Sequence, residues 1–114
     1  MPRSPRQIGT AFESAILPAF LDVDPGSHRE GLHGVADRGD IAVPSAPYIV
    51  QAKHVRQLRL GQWWPQVEMQ AANAGKPYAL IVHKRWGTTD PLDQWVTTTL
   101  RHQIGINNWY KGLI

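Results

Sequence analysis

The sequence contains no cysteine among its 114 residues. Disulfide bonds, thiolate metal sites and a cysteine nucleophile are therefore excluded from its fold and chemistry. It also lacks any hydrophobic run near the roughly 20 residues needed to span a bilayer. The basic start of the chain, residues 1–6, is not followed by the apolar segment of a signal peptide. We therefore expect a cytoplasmic protein with no membrane partner.

A strong charge of either sign is also missing. Lys and Arg number 12 against 9 Asp and Glu, which gives a formal charge of +3. This small excess permits binding to nucleic acid without requiring it. The length suits one packed core, so we expect a single domain over residues 1–114. Five tryptophans and a hydrophobic fraction of 42% argue against disorder.

The hydrophobic pattern predicts a mixture of helices and strands. Helices are predicted over residues 6–21 and 60–74. Strands are predicted over residues 40–43, 48–53, 77–83 and 94–100, with a further one near residues 32–35. The tail after residue 100 is either a short helix or a loop. Pro18 should end or kink the first helix, and Pro65 should kink the second or delay its start.

This order of elements predicts an α/β fold with a mixed sheet of about four or five strands. The second helix lies between two strands, and such a connection is a right-handed crossover between parallel neighbours. The strands before it should form an antiparallel hairpin. We therefore expect helices to pack against the sheet in the order αβββαβ.

Polar residues on the predicted hairpin carry the chemistry. Gln51 and Lys53 are two positions apart on a strand, so they point to the same face. A lysine at the end of an apolar strand is costly to bury alone, and Asp40 on the paired strand is placed to be its partner. Mg²⁺ prefers oxygen ligands. The Asp40 carboxylate, the Gln51 side-chain oxygen and the Ala52 backbone carbonyl could bind it, while Lys53 orients or deprotonates water.

An Asp, a short hairpin, a Gln-x-Lys motif, a helix and a strand together resemble the core of the PD-(D/E)XK nucleases, a restriction-endonuclease-like fold. The stretch Gly9-Thr10-Ala11-Phe12-Glu13 resembles the first-helix motif of the archaeal and phage-type Holliday junction resolvases of this superfamily. The resemblance covers about residues 8–99. It implies that Glu13 is the helical acid of a metal site, Asp40 the central ligand, Gln51 the ligand at the acidic position and Lys53 the catalytic lysine.

One position departs from the usual pattern, because Gln51 stands where the motif commonly has an acid. The Mrr-type restriction nucleases are similar in using Gln-x-Lys. A neutral ligand removes one negative charge from the metal site, so Glu13 is expected to restore a second carboxylate. The resemblance also implies that Gln66 or Gln70, on the helix after the lysine, lends a polar group to the site.

Basic residues follow the proposed site strand, where a phosphate backbone would lie. They are Arg56, Arg59, Lys76, Lys84 and Arg85. A run of charge is usually a solvated face, but this position favours DNA contact. We expect DNA contacts from His54, Arg56, Arg59, Lys84 and Arg85. Base stacking on nucleic acid could involve Trp63, Trp64 or Trp86. Trp63 also fits the apolar stripe of the predicted second helix, which explains it as a core residue.

The resemblance implies a metal-dependent DNA endonuclease that hydrolyses phosphodiester bonds with Mg²⁺ or Mn²⁺. The short chain favours a structure-selective enzyme of the Holliday junction resolvase type, acting as a homodimer on branched DNA, in the host cytoplasm if phage-encoded. Two alternatives stay open. One is an Mrr-like or general DNA nuclease, and the other is a non-catalytic nucleic-acid-binding module on the same fold.

Overall fold

The computed structural model describes residues 2–31 and 36–113, so the strand predicted near residues 32–35 lies outside the described residues. Within the described ranges the helices are α1 (Pro5–Leu21), α2 (Leu60–Asn73) and α3 (Leu100–Lys111). The strands are β1 (His28–Arg29), β2 (Ile41–Ala42), β3 (Tyr48–Lys53), β4 (Tyr78–His83) and β5 (Trp95–Thr97). A short 3₁₀-helix at Pro91–Asp93 precedes β5. None of the described helices is long and apolar enough to cross a membrane.

The described strands form one five-stranded sheet in the order β1-β2-β3-β4-β5. β3 and β4 are parallel, and every other pair of neighbours is antiparallel. α2 makes the connection between the two parallel strands, as the crossover rule predicts. The expected α/β fold with a mixed sheet flanked by helices is therefore confirmed.

The first helix begins where the sequence predicts it. The Ser4 hydroxyl accepts a hydrogen bond from the Gln7 amide at 3.2 Å, and the Gln7 side chain accepts one from the Ser4 amide at 2.8 Å. This reciprocal pair is a capping box. α1 continues past Pro18 to Leu21, the end that the sequence predicts, so the proline lies inside the helix and does not terminate it. The carbonyl that loses its partner belongs to Ser14, which is exposed and can be hydrated.

The second helix also contains its proline. Pro65 lies inside α2, which begins at Leu60, so the start of the helix is not delayed. The proline removes the hydrogen bond to the carbonyl of Gly61, and Gly61 is exposed to solvent. The interruption therefore falls on the solvent side of the helix, where water can replace the lost donor.

Two apolar clusters lie on opposite faces of the sheet. Phe12 of α1 and Ile106 of α3 pack with Val50 on one face. Trp63 of α2 packs with Ile49 on the other face. Because successive residues of a strand point to opposite faces, the side chains of β3 that follow Ile49 at two-residue steps also point toward α2.

The end of the chain is helical rather than a loop. β5 stops at Thr97, earlier than the predicted residue 100, because the next two threonines take other roles. Thr98 donates a hydrogen bond to the Ala79 carbonyl at 2.7 Å. Thr99 caps α3 by accepting from the His102 amide at 3.2 Å.

Candidate active site

Asp40 is fixed in place by the turn before β2 and by the backbone of β3. Gly39 has a φ of +90°, and a Cβ there would lie 3.0 Å from the Val50 carbonyl oxygen. The Asp40 amide donates to that carbonyl at 2.8 Å. Its carboxylate accepts a hydrogen bond from the Ala52 amide at 2.8 Å. Since Ile41 pairs with Val50, the same register places Asp40 opposite Gln51.

Burial raises the pKa of Asp40 to about 7, and the bond from the Ala52 amide opposes this rise. The carboxylates of Glu13 and Asp37 raise it further, and Glu13 is close enough for a hydrogen bond between the two side chains. Like charges held together in a partly dry site disfavour ionisation of both. The structure thus brings the helical acid of α1 to the acid that precedes β2.

Glu13 has a second partner that the sequence analysis did not anticipate. Arg29, on β1, donates to Glu13 Oε2 from Nη2 at 2.9 Å and from Nε at 3.3 Å. The Glu13 side chain is 18% exposed and that of Arg29 is 37% exposed. The guanidinium offsets part of the negative charge that the two acids place together. β1 has two residues, so no periodic pattern in the sequence could reveal it.

Gln51 contributes an unusual atom. Its Oε1 is buried and has no hydrogen-bond partner within residues 2–31 and 36–113. An unsatisfied buried acceptor costs about 1–3 kcal/mol, so an atom of this kind is suited to a ligand. Together with Glu13, Asp40 and the Ala52 carbonyl it provides oxygen ligands only, which is the chemistry that Mg²⁺ and Mn²⁺ favour. These residues therefore fit a hard divalent cation.

Side chains of the strongest ligand types do not form such a site by themselves. Within residues 2–31 and 36–113, no group of three or more His, Cys, Asp or Glu is arranged to hold a metal ion. Two carboxylates, those of Glu13 and Asp40, are present at this site. An ion here would need the neutral oxygens of Gln51 and Ala52 as well.

Lys53 does not pair with Asp40, so the expected ion pair is wrong. Its Nζ lies 5.2 Å from the centroid of the Trp63 ring, on the α2 side of the sheet. The Asp40 carboxylate is instead directed to the Ala52 amide and to Glu13. A cation over an indole face is stabilised without a carboxylate, which explains how this half-buried lysine is accommodated.

The two glutamines of α2 differ. Gln70 is buried and donates to the Asp37 carboxylate at 2.8 Å, while its Oε1 has no partner in the part of the chain that the structure describes. Asp37 also accepts from the Gly39 amide at 2.9 Å, so it supports the turn that positions Asp40. Gln66 is exposed to solvent on α2. The sequence analysis missed Asp37, although it lies in the Asp-Arg-Gly-Asp segment that contains Asp40.

The basic edge, defined here as the segments that follow β3 and β4, contains the residues expected to contact DNA. The Arg56 guanidinium lies 3.8 Å from the Trp86 ring centroid, and that of Arg85 lies 4.7 Å from the Trp95 ring centroid. Lys84 donates from Nζ to the Thr88 carbonyl. These groups meet at one edge because β3 and β4 are parallel and end side by side.

The remaining members of the predicted basic cluster divide between two places. Arg59 is exposed just before α2 and donates to the Gln57 side chain at 3.3 Å. Lys76 precedes β4 and donates to the carbonyl of Pro44 at 2.9 Å, in the turn between β2 and β3. Lys76 therefore lies at the other edge of the sheet, away from Lys84, and stabilises a turn.

Comparison of the chain with protein-family models, with curated proteins and with solved structures gives no match. The functional argument therefore rests on the geometry and chemistry of the site. That site has two adjacent carboxylates, an unpaired buried amide oxygen and a lysine on the same strand as that amide.

Proposed function

We propose that this protein is a metal-dependent endonuclease that hydrolyses phosphodiester bonds in DNA. The observation that carries the proposal is the meeting of Glu13 and Asp40. Gln51, whose buried Oε1 has no hydrogen-bond partner among the described residues, lies opposite Asp40 in the strand register. An acid whose pKa is raised by burial and by a neighbouring carboxylate is a common sign of a functional site. The PD-(D/E)XK resemblance assigns the same residues to metal binding.

Each residue then has a chemical task. Glu13, Asp40, the Gln51 oxygen and the Ala52 carbonyl would hold Mg²⁺ or Mn²⁺. The bound ion would supply a lowered pKa for the attacking water and positive charge for the phosphate. Lys53, with its ammonium near the Trp63 ring, would orient that water or neutralise the phosphate. In the absence of a cation, Arg29 balances the charge of Glu13.

The basic edge supports DNA as the substrate. Arg56, Lys84 and Arg85 follow the two strands that end beside the carboxylate site. Contacts of this kind to phosphates position a nucleic acid without reading its sequence. We propose a structure-selective enzyme of the Holliday junction resolvase type, acting as a homodimer, because two opposed strands of a junction must be cut.

The test is cleavage of a panel of branched, nicked and linear DNAs with Mg²⁺ and with Mn²⁺. Asp40→Asn and Lys53→Ala should each lower the cleavage rate at least about 100-fold, since one removes a charged ligand and the other the group facing water or phosphate. DNA affinity should change little. Asp22→Asn and Lys111→Ala are matched controls, because both residues are exposed outside the site.

A binding module without catalysis is the second candidate, favoured by the neutral Gln51 and by the bonds from Arg29 to Glu13. If the wild-type protein binds these DNAs but cuts none of them with either ion, the nuclease proposal is wrong and the binding module is supported. Cleavage that persists unchanged in Asp40→Asn would also reject the proposed site.

A further inference from the structure

Four side chains form a continuous series of ring contacts from the core to the surface, which we call the aromatic ladder. The buried Phe12 ring meets His54 with centroids 5.4 Å apart, and His54 meets Trp86 at 5.1 Å. Arg56 then lies 3.8 Å from the Trp86 ring centroid. The ladder begins at the residue next to Glu13 and passes through the residue next to Lys53.

The outer end of the ladder is a fixed and accessible platform. The indole N–H of Trp86 donates to the Val55 carbonyl at 3.2 Å, which sets the orientation of the ring. Trp86 is nevertheless 42% exposed. Arg56 is exposed as well, so its guanidinium presents a second flat surface over the ring.

Room for a bound group is available beside the ladder. A cleft of about 420 Å³ is lined by Phe12, His54 and Lys84, with α1 forming its apolar wall. Lys84 and Arg3 line this cleft, and Arg56 lies over Trp86 at the outer end of the ladder. Flat apolar surfaces with cations at their margin are the chemistry that binds a nucleobase and its phosphate.

We infer that the Trp86–Arg56 platform binds an unpaired nucleobase of the DNA strand next to the proposed site. This inference rests on the proposed function and names its substrate class, which is branched DNA that presents an unpaired or unstacked nucleotide at the branch. In a four-way junction, whose bases are all paired, that nucleotide would have to unstack at the crossover. A base inside an intact duplex is stacked between its neighbours and cannot reach the platform. Discrimination between forked and linear DNA would therefore come from stacking, with little contribution from base-specific hydrogen bonds.

The experiment compares dissociation constants for an intact duplex and for a fork of the same sequence, without Mg²⁺ or Mn²⁺ so that no cleavage occurs. The wild type should bind the fork more tightly. Trp86→Leu should weaken fork binding roughly 5- to 100-fold, the range that base–aromatic stacking produces. Its affinity for the duplex should stay within about twofold, because stacking adds nothing there.

A matched control is Trp109→Leu. Trp109 is a half-buried indole near the end of α3. Its neighbour Tyr110 is beside Tyr48, the first residue of β3, so this end of α3 lies at the opposite edge of the sheet from the platform. This variant should keep the full preference for the fork. Trp86→Phe should restore part of it, since a smaller ring still stacks. A 2-aminopurine base in the unpaired strand should be quenched by the wild type and not by Trp86→Leu.

The inference is overturned if the wild type binds fork and duplex equally, or if Trp86→Leu weakens both to the same extent. It is also overturned if Trp109→Leu has the same effect as Trp86→Leu. If Trp86→Leu does not fold, the 2-aminopurine signal of the wild type and the partial preference of Trp86→Phe decide the question. Absence of cleavage with a fork preference that depends on Trp86 would reject the nuclease and keep the platform.

Discussion

The environment of the Asp40 carboxyl suits ligand binding but lowers the stability of the folded protein when the carboxyl is ionised. It is held among backbone groups and beside Glu13, and both burial and the neighbouring charge raise its pKa. Function in such a site often has a cost in stability, which a substitution at the functional residue can relieve. The same reasoning applies to Gln51, whose buried Oε1 has no partner among the described residues.

Asp40→Asn should therefore stabilise the metal-free protein at pH 8. The folded-state pKa, about 7, lies above the ordinary value of 3.8, so the folded state holds the proton more tightly. The resulting stability is fully present below about pH 4 and is lost as the pH rises through 7. Asn does not ionise, so we expect a gain of about 1–3 kcal/mol at pH 8 that disappears near pH 4.

Urea unfolding with a chelator at both pH values measures this difference. Asp22→Asn, at the exposed C-cap of α1, is the control, and its gain should stay below about 1 kcal/mol, the size of a helix-dipole effect at an exposed position. An equal effect of Asp40→Asn at pH 4 and pH 8 would contradict the pKa argument.

The spacing of residues in the sequence was sufficient to predict that Asp40 and Gln51 belong to the same hairpin, with Asp40 just before β2 and Gln51 on β3. The alternation of side chains along a strand is a local property, so the sequence reveals it. It could not identify the partners of Lys53 or Glu13. Trp63 and Arg29 reach those residues from other elements, and their approach depends on how helix and sheet pack. Such contacts are tertiary and leave no periodic signal.

At the scale of elements, capping side chains determine where helices begin more strongly than the helix propensity of the residues does. Thr99 starts α3 immediately after β5, and Ser4 starts α1. α3 also approaches the sheet closely, because Gly105 lies directly on the Tyr78 ring and a Cβ there would overlap it. The sequence after residue 100 is polar and has only a weak apolar stripe, so it is compatible with either a helix or a loop.

Gly105→Ala should destabilise the protein by about 1–3 kcal/mol, since the added methyl group forces α3 or Tyr78 to move. Ala is the better helix former by about 1 kcal/mol, so the steric effect must exceed that gain. Gly61→Ala is the matched control in α2, because a Cβ at Gly61 meets nothing within 4 Å. It should raise the midpoint of thermal unfolding, and a similar rise for Gly105→Ala would contradict the close packing.

On the scale of the whole molecule, a small net charge of +3 is distributed unevenly. The basic edge contains cations at the ends of β3 and β4. Lys76 lies at the opposite edge, where it donates a hydrogen bond to the turn between β2 and β3. The sequence predicted the α/β class and the parallel crossover from the order of elements alone. It could not separate Lys76 from Lys84, because edge assignment depends on the direction of each strand in the sheet.

The double variant Arg56→Ala plus Arg59→Ala should weaken DNA binding and flatten its salt dependence. For each lost phosphate contact, the slope of log K against log salt, which is negative, should become shallower by about 0.9 on duplex DNA. Arg101→Ala plus Lys111→Ala removes the same charge from exposed positions of α3 and is the matched control. Equal slopes for both double variants would show that the basic edge does not contact phosphates.

In the described residues, the strands lie in the sheet in the order in which they occur along the chain. Each strand therefore pairs with one already synthesised, and no strand has to insert between two others. During translation the sheet can grow from one edge, each pairing closing a loop between consecutive strands. The parallel pairing of β3 with β4 spans α2, so it closes a longer loop than the hairpin pairing of β2 with β3 and should be the slower one to form.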